Sequence, residues 1–355
     1  MKGLTILFSR VVYAISWFYL APEIPKILTY YHQPNSLAGI VPFSFFLGSG
    51  VMQVPSAYLG TRIGQRNSLV LGLLIMSGSA FSVALSDTFL SILLSYFIGG
   101  VGASMFFSSG GAILSSLNRS RLSFSLGLYN ALFCVGGFIG LNWALVYNLT
   151  GFKIGAILVG VMTLASAMTN LGLPNQKPTW SIVRNRNVIV LGIATAGVWG
   201  IYYAVGELLP TFMVLYEHQR AITSSAITSS LLLFSAVGGV MSWIGDRFSK
   251  FKLMIISSVI TSLSPVLIYT SAYTLALALL GIFNELAISL LYSITALQGE
   301  IRNSSISLAV VNSLNISLGT WIEFLAGYMG YSAWVVLAVL GVLPLLLLVG
   351  LKTHT

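Results

Sequence analysis

Two stretches of ten residues, AYLGTRIGQR at 57–66 and SWIGDRFSKF at 242–251, carry the same short pattern 185 positions apart. Each stretch lies where one hydrophobic segment runs into the next. Thr61 aligns with Asp246, and Arg62 aligns with Arg247. A pattern that recurs at a fixed distance within a chain predicts a structure built from repeated units.

The composition predicts that both units lie in a lipid bilayer. Of the 355 residues, 56% are hydrophobic and only 7% are charged, whereas an ordinary soluble domain has roughly 25% charged residues. Lipid offers backbone groups no hydrogen-bond partner, so apolar runs of about 20 residues must be helices. The runs lack the alternation of a barrel strand. The sequence therefore predicts an all-α integral membrane protein.

Twelve transmembrane helices are predicted in two sets of six. The first six spans fall at about 5–29, 38–60, 68–86, 89–115, 122–147 and 152–172. The second six fall at about 188–214, 224–245, 253–271, 273–297, 304–328 and 331–350. Twelve spans leave only about 30 residues for each helix with its loop, so the chain has no room for a soluble domain.

One segment between the two sets is rich in Pro, Asn and basic residues, PNQKPTWSIVRNRN at 174–187, and this composition is typical of a linker. We expect residues 1–173 to form an N-terminal six-helix bundle. Residues 188–355 would form a C-terminal bundle, related to the first by a pseudo-symmetry axis. Membrane proteins built from such repeats typically hold a solute site between them.

The distribution of Lys and Arg predicts the orientation in the membrane. With the N-terminus in the cytoplasm, the inner segments carry thirteen basic residues and the outer loops carry three. The inner residues are Lys2, Arg62, Arg66, Arg119, Arg121, Lys177, Arg184, Arg186, Arg247, Lys250, Lys252, Arg302 and Lys352, and the outer ones are Lys26, Lys153 and Arg220. This positive-inside bias places both termini in the cytoplasm and the protein in the cell membrane.

The same distribution argues against other classes of protein. The net charge of +9 is spread over short loops that face the anionic leaflet, so no nucleic-acid partner is expected. The single cysteine, Cys134, excludes an intrachain disulfide and any multi-cysteine metal site. Metalloprotease, Walker and serine-hydrolase motifs are absent from the sequence, so we expect no enzyme, no metal, no cofactor and no ATP-driven pump.

The doubled stretch resembles the loop between helices 2 and 3 of the major facilitator superfamily, which reads approximately G-x-L-A-D-R-x-G-[RK]-[RK]. The first copy keeps Leu59, Arg62, Gly64 and Arg66, with Ala57 and Thr61 at the positions of the first Gly and the Asp. The second copy keeps Asp246, Arg247 and Lys250, with Ser249 at the position of the later Gly. Both copies fall at the same end of the second span of a six-helix half.

The resemblance implies alternating access, in which two six-helix halves rock about a central cavity, and a cytoplasmic gate at this loop. Pairs between carboxylates and cations at helix ends form in one state and break in the other. Because Thr61 replaces the Asp, the first copy would rely on hydrogen bonds. The alternative is that Arg62 and Arg66 are ordinary positive-inside anchors.

A second repeated stretch follows the first span of each half. WFYLAPEIPKILTYYHQ at 17–33 corresponds to IYYAVGELLPTFMVLYEHQ at 201–219, which relates Tyr19 to Tyr203 and Glu23 to Glu207. We expect the two glutamates to face each other near the outer end of the cavity, each with a Tyr one turn back. They would bind a proton or cation or close an outer gate, unless they only cap helix ends at the interface.

Charged residues inside a span are functional candidates, because charge in hydrocarbon is unfavourable by several kcal/mol unless it faces water or a partner. Glu285, beside Asn284, lies near the middle of the tenth span and is the leading candidate for a proton carrier. The alternative is a permanently protonated carboxyl group bonded to a neighbouring helix. Arg10 lies about 10 Å inside the first helix and would either bind an anionic group or snorkel to the interface.

The eleventh span carries a polar stripe. Asn312, Asn315, Gly319 and Glu323 share one helix face by their spacing, and Asn130 with Gly137 is the matching face of the fifth span. Such a stripe either lines a cavity or joins helices through amide hydrogen bonds.

These observations predict a monomeric secondary active transporter that moves a small organic solute by alternating access, coupled to protons or another cation. A multidrug exporter of the same superfamily is one alternative. A sensor or assembly factor that uses a transporter scaffold without transporting is another.

Overall fold

The computed structural model describes residues 3–117, 122–177, 185–298 and 304–351, and every regular element in these ranges is helical. We refer to the helices before the linker as the first group. They are α1 (Leu4–Phe18), α2 (Ile24–Tyr30), α3 (Ile40–Ile63), α4 (Gln65–Ala84), α5 (Phe89–Leu117), α6 (Leu122–Leu141), α7 (Ala144–Thr150) and α8 (Phe152–Thr169).

The helices after the linker are the second group. They are α9 (Arg186–Glu217), α10 (Ala221–Met241), α11 (Lys250–Leu263), α12 (Tyr273–Gln298), α13 (Ser304–Met329) and α14 (Ala333–Val342). Turns of 3₁₀ helix extend several of them, at Ser242–Asp246 after α10, Ser264–Thr270 after α11 and Leu343–Gly350 after α14.

Ten apolar helical segments among the described residues are long enough to cross a membrane, or eleven when α6 and α7 are taken as one span bent by 41°. The predicted spans match these segments to within a few residues, apart from the last two. Ile306–Val349 counts as one segment of 44 residues, which at 1.5 Å per residue is about 66 Å, roughly twice the hydrocarbon thickness. Gly330 interrupts it with a φ of 56°. The number of twelve spans stays a prediction, in which this segment would divide into two spans at Gly330.

Small residues bring neighbouring helices into backbone contact. Gly200 on α9 and Gly319 on α13 are so close that a side chain at either position would overlap the backbone of the other helix. Gly102 on α5 and Gly72 on α4 are related in the same way. Since lipid gives no hydrophobic driving force between helices, this close packing contributes much of the association energy.

The two ends of the helix bundle differ in charge. We call the end that holds Arg62, Arg66, Arg247 and Lys250 the basic end, and the end that holds Tyr30, His32 and His218 the opposite end. Six of the predicted inner basic residues, Lys2, Arg119, Arg121, Arg184, Arg302 and Lys352, lie outside the described residues.

Among the described residues, the first and second groups meet at several points away from the basic end. The start of α3 meets the end of α13, where Gly39 touches the backbone of Glu323 and of Gly327. Further along the same pair of helices, the Ser313 hydroxyl donates to the Gly50 carbonyl at 2.9 Å. Gly137 on α6 packs against Leu232 on α10. Among the described residues, the two groups are thus joined from the opposite end to about the middle of the bundle.

Candidate functional site

Arg10 lies about 9 Å along α1 from the helix start, and its side chain is only 4% exposed. Four aromatic rings surround the guanidinium. Its central carbon lies 4.7 Å from the ring centre of Tyr13, 5.3 Å from Phe107, 4.3 Å from Tyr129 and 4.7 Å from Phe133. These rings come from α1, α5 and α6, and we call them the aromatic cage. The side chain therefore stays in the protein interior and does not snorkel to the interface.

The guanidinium has few polar contacts. Its Nε and Nη1 atoms are buried without a hydrogen-bond partner among the described residues, and so is the Tyr129 hydroxyl. The only ion pair within the described part of the chain joins Lys26 to Glu23. Arg10 thus holds a buried positive charge that no carboxylate contacts directly.

Glu285 lies at the middle of α12 and is half-buried. Its side chain lies beside α10, where a Cβ at Gly239 would be in ordinary contact with its Cγ at 3.4 Å. The first group faces it as well, because Arg10 and Glu285 interact electrostatically. Among the described residues, the titratable or charged groups within electrostatic range of Glu285 are Arg10 on α1, Cys134 on α6, Tyr202 and Tyr203 on α9, and Tyr292 on its own helix.

Asn284 precedes Glu285 and is fully buried, yet neither its amide nitrogen nor its carbonyl oxygen has a hydrogen-bond partner among the described residues. A buried amide without partners is unfavourable by about 1–3 kcal/mol. Arg10 in the first group and Asn284 in the second group thus both carry buried polar atoms without a hydrogen-bond partner among the described residues.

The polar stripe of α13 divides into two kinds of contact. The Asn315 amide donates to the Gly192 carbonyl at 2.6 Å and to the Thr195 hydroxyl at 2.9 Å, which joins α13 to α9. The Asn312 oxygen accepts a bond of 2.9 Å from the Tyr292 hydroxyl. Asn315 therefore joins helices, and Asn312 connects the stripe to the helix of Glu285.

Asn130 and Gly137, which were expected to form a polar face on α6 opposite the stripe of α13, do not share one environment. Asn130 is exposed, whereas Gly137 is covered by Leu232 and Phe18.

Three buried glutamates lie toward the opposite end. Glu23 pairs with Lys26 at 2.7 Å. Glu207 and Glu323 are 1% and 0% exposed, and they interact electrostatically with each other. The Thr320 hydroxyl donates to Glu323 at 3.3 Å. Glu207 is therefore grouped with Glu323, and the partner of Glu23 is Lys26, three residues further along in α2.

An aromatic cluster fills the space between the two groups. Tyr203 on α9 lies 5.6 Å from Trp17 and 4.9 Å from Phe46, and it packs on Trp199 at 4.2 Å between ring centres. Tyr19 lies outside this cluster and packs on Tyr96 at 5.8 Å. We call Trp17, Phe18, Phe46, Trp199 and Tyr203 the aromatic plug. It joins the cage through Tyr13, whose ring lies 5.4 Å from Trp17.

The sequence reasoning singled out Tyr203 but missed the other four members of the plug. The density of aromatic residues at 13–19 and 199–203 was the available signal. Aromatic residues also form interfacial belts, so their number alone does not distinguish the two roles.

The two copies of the repeated stretch share a contact that the sequence reasoning did not note. The Arg62 guanidinium lies over the Tyr58 ring at 5.1 Å, and Arg247 lies over the Trp243 ring at 5.0 Å. Both aromatic residues precede their arginine by four positions. Arg62 also donates to the Tyr58 hydroxyl at 2.6 and 2.9 Å.

The first copy is tied to residues of its own group. The Thr61 hydroxyl donates to the Tyr58 carbonyl at 2.7 Å, and Arg66 donates to the Leu171 and Leu173 carbonyls at 3.4 and 3.5 Å. Gly64 has a φ of 94°, a conformation that favours glycine.

The second copy replaces this glycine with Ser249, whose φ is −58° and whose hydroxyl accepts from the Lys252 amide to cap α11. Arg247 is exposed and Lys250 begins α11. The side chain of Asp246 lies outside what the structure describes.

These helices, with polar groups buried among them, define an all-α integral membrane protein. The sequence profile described as Major Facilitator Superfamily matches residues 6–320. The chain belongs to this superfamily and is a membrane transporter.

Two relatives from enteric bacteria are named Uncharacterized MFS-type transporter YcaD. The protein of Escherichia fergusonii is 26% identical over 276 residues, which cover 73% of this chain and 70% of the relative. The protein of Escherichia coli O7:K1 is 24% identical over 279 residues with the same coverage.

Solved structures show the same fold. The human organic anion transporter MFSD10 (TETRAN) matches with a TM-score of 0.74 at 13% identity, over 98% of each chain. The POT family transporter PepTSo matches with a TM-score of 0.78 at 12% identity, over 97% of this chain and 96% of that one. At such identities the likeness concerns the fold alone.

Proposed function

We propose that this protein is a secondary active transporter that moves a small organic solute by alternating access, with a proton carried by Glu285. The observation that carries the proposal is the position of Glu285 at the middle of α12. It is half-buried, lies beside α10 and is within electrostatic range of Arg10 in the other group. A titratable group at mid-membrane depth between two groups of helices is suited to bind a proton from either side in turn.

The two groups would act as the rocking units, residues 1–173 and 188–355, joined by the linker at 174–187. The arginine and aromatic pairs at 58–62 and 243–247 support this division, since each unit carries one at the same end of the bundle. The groups touch through Gly39, Phe46 and Gly50. These contacts support a state that is closed at the opposite end.

The orientation follows from the positive-inside rule. The basic end would face the cytoplasm, both termini would be cytoplasmic and the membrane would be the cell membrane. In this orientation the Arg62 and Arg247 loops form the cytoplasmic gate, and the aromatic plug closes the outer side.

Glu285 is preferred over the other buried carboxyl groups as the proton carrier. Glu23 is already paired with Lys26. Glu207 and Glu323 lie within the closed half of the bundle and are almost fully buried, so a proton reaches them only after the plug opens. They are suited to stabilise the outer gate or to act as a second proton site.

Replacing Glu285 by Gln tests the proposal, because Gln keeps the size of the side chain but cannot release a proton. A compound identified by its effect on the melting temperature of the purified protein would be followed in proteoliposomes. We expect the Glu285→Gln variant to retain its melting temperature and counterflow and to lose uptake driven by a proton gradient. The control is Asp87→Asn, which neutralises an exposed carboxylate in a loop.

Full gradient-driven uptake by the Glu285→Gln variant removes Glu285 from the mechanism. Binding without counterflow in the wild-type protein refutes transport itself and favours a sensor. The two results are independent, because counterflow needs no proton gradient.

A further inference from the structure

Arg10 has an environment that proton transport does not require. Its side chain is only 4% exposed. Among the described residues, two of its nitrogen atoms lack a hydrogen-bond partner and no carboxylate lies within ion-pair distance. The Tyr13 and Tyr129 hydroxyls interact with the guanidinium through charge and weak side-chain hydrogen bonding, but neither gives Nε or Nη1 an acceptor at full hydrogen-bond geometry. A neutral residue at this position would pack among these four rings without the penalty of a buried charge.

The cage stabilises the charge through cation–π contacts, but it does not replace the hydrogen bonds that the guanidinium loses when it leaves water. Rings also cannot accept hydrogen bonds in the plane of the guanidinium, where its N–H groups point. The N–H groups at Nε and Nη1 therefore have no acceptor, and an anion would supply one.

The surroundings restrict the kind of anion. The rings of Tyr13, Phe107, Tyr129 and Phe133 present apolar surface around the charge, while the facing helix contributes Glu285 and Tyr292. A guanidinium fork fits a carboxylate with two parallel hydrogen bonds, and aromatic rings fit a flat apolar body. A strongly hydrated inorganic ion would make no apolar contact with these rings.

We propose that Arg10 binds the carboxylate of a small organic anion whose apolar, preferably aromatic, body packs against the rings of the aromatic cage. The proposal rests on the transport function proposed above and names the substrate class of that site.

The charge of Glu285 should oppose this binding. An ionised Glu285 balances the charge of Arg10 across the site, and a bound carboxylate would bring a second negative charge into a region of low dielectric constant. Protonation of Glu285 removes that repulsion. The anion and the proton would therefore bind together, and the two residues should have opposite effects on anion affinity.

The test uses matched pairs of ligands and variants. Purified protein in detergent is titrated with benzoate and 1-naphthoate and with their neutral amides, benzamide and 1-naphthamide, and binding is followed by melting temperature and tryptophan fluorescence. We expect at least one acid to bind and to exceed its amide in affinity by about 10-fold or more, because only the acid can form a charge-assisted bidentate contact with Arg10.

The variants then assign the preference to Arg10. Arg10→Gln should remove the difference between acid and amide, Arg10→Lys should keep part of it, and Glu285→Gln should strengthen binding of the acid. The control is Arg220→Gln, which removes an exposed arginine at the opposite end of the bundle and should change nothing.

Three results would overturn the proposal: neither acid exceeds its amide in the wild-type protein, Arg10→Gln keeps the preference, or Glu285→Gln weakens binding of the acid. The first comparison needs no variant, so it decides the matter even if Arg10→Gln fails to fold. Acid binding without flux in proteoliposomes would refute the transport function and leave the anion site intact. Flux of neutral compounds without binding of either acid would refute the anion site and leave the transport function intact.

Discussion

Asn315 and Arg10 both place polar atoms inside the helix bundle, but they differ in what those atoms contact. The Asn315 amide donates two hydrogen bonds to α9, whereas two nitrogen atoms of Arg10 lie among aromatic rings without a hydrogen-bond partner among the described residues. A satisfied amide between helices stabilises the fold. A buried guanidinium whose N–H groups lack acceptors is unfavourable unless a ligand supplies them, as proposed for Arg10.

Replacing Asn315 by Ala should lower stability because both hydrogen bonds to α9 are lost. Hydrogen bonds between transmembrane helices contribute about 0.6–1.7 kcal/mol each, so we expect a loss of about 1–3 kcal/mol, measured as a lower melting temperature in detergent. The control is Asn312→Ala on the same helix, which loses the single bond to Tyr292 and should be affected about half as much. An equal or greater effect at Asn312 would contradict this interpretation.

At the scale of helices, glycine decides how closely neighbours approach. Gly238 and Gly239 are adjacent on α10, yet only Gly238 faces the backbone of α12. A Cβ at Gly238 would overlap the Ile282 carbonyl, while a Cβ at Gly239 would meet only the Glu285 Cγ at 3.4 Å. The face that a glycine presents therefore determines its role.

Replacing Gly238 by Ala should push α10 away from α12 and destabilise the protein by about 1–3 kcal/mol, as other overpacked substitutions do. Gly239→Ala is the matched control. It should leave the melting temperature unchanged or raise it slightly, since Ala has the higher helix propensity. Similar melting temperatures for the two variants would show that α10 and α12 are not in backbone contact at this point.

The whole molecule depends on how the two groups of helices meet. Phe43 on α3 and Trp321 on α13 have ring centres 4.9 Å apart and belong to different groups. Tyr269 and Tyr331 have ring centres 5.4 Å apart at the same end of the bundle, but both belong to the second group. Alternating access requires the first pair to separate and leaves the second pair together.

Cross-linking therefore distinguishes the two pairs. In a Cys134→Ser background, Phe43→Cys with Trp321→Cys, joined by a short bifunctional thiol reagent, should reduce solute exchange to background, and a reductant should restore it. Tyr269→Cys with Tyr331→Cys should continue to exchange solute when cross-linked. Full exchange by the cross-linked Phe43 and Trp321 pair would rule out rocking of the two groups at this contact.

The sequence by itself determined the class of protein and the positions of the helices. Long apolar runs have no stable form in lipid other than helices, so the spans follow from composition and length. The 41° bend after Leu141 was not foreseen, because helix direction depends on packing against neighbours. The repeated stretches at 57–66 and 242–251 indicated the superfamily from sequence alone.

Only the tertiary structure decided which polar residues are satisfied and which are not. Periodicity placed Asn312, Asn315 and Glu323 on one helix face, but it did not tell which neighbour each would meet. Spacing along α1 likewise left Arg10 free to reach the interface or to turn inward. Its aromatic cage is assembled from α1, α5 and α6, so residues more than 100 positions apart in the chain create it, and local sequence pattern carries no information about such contacts.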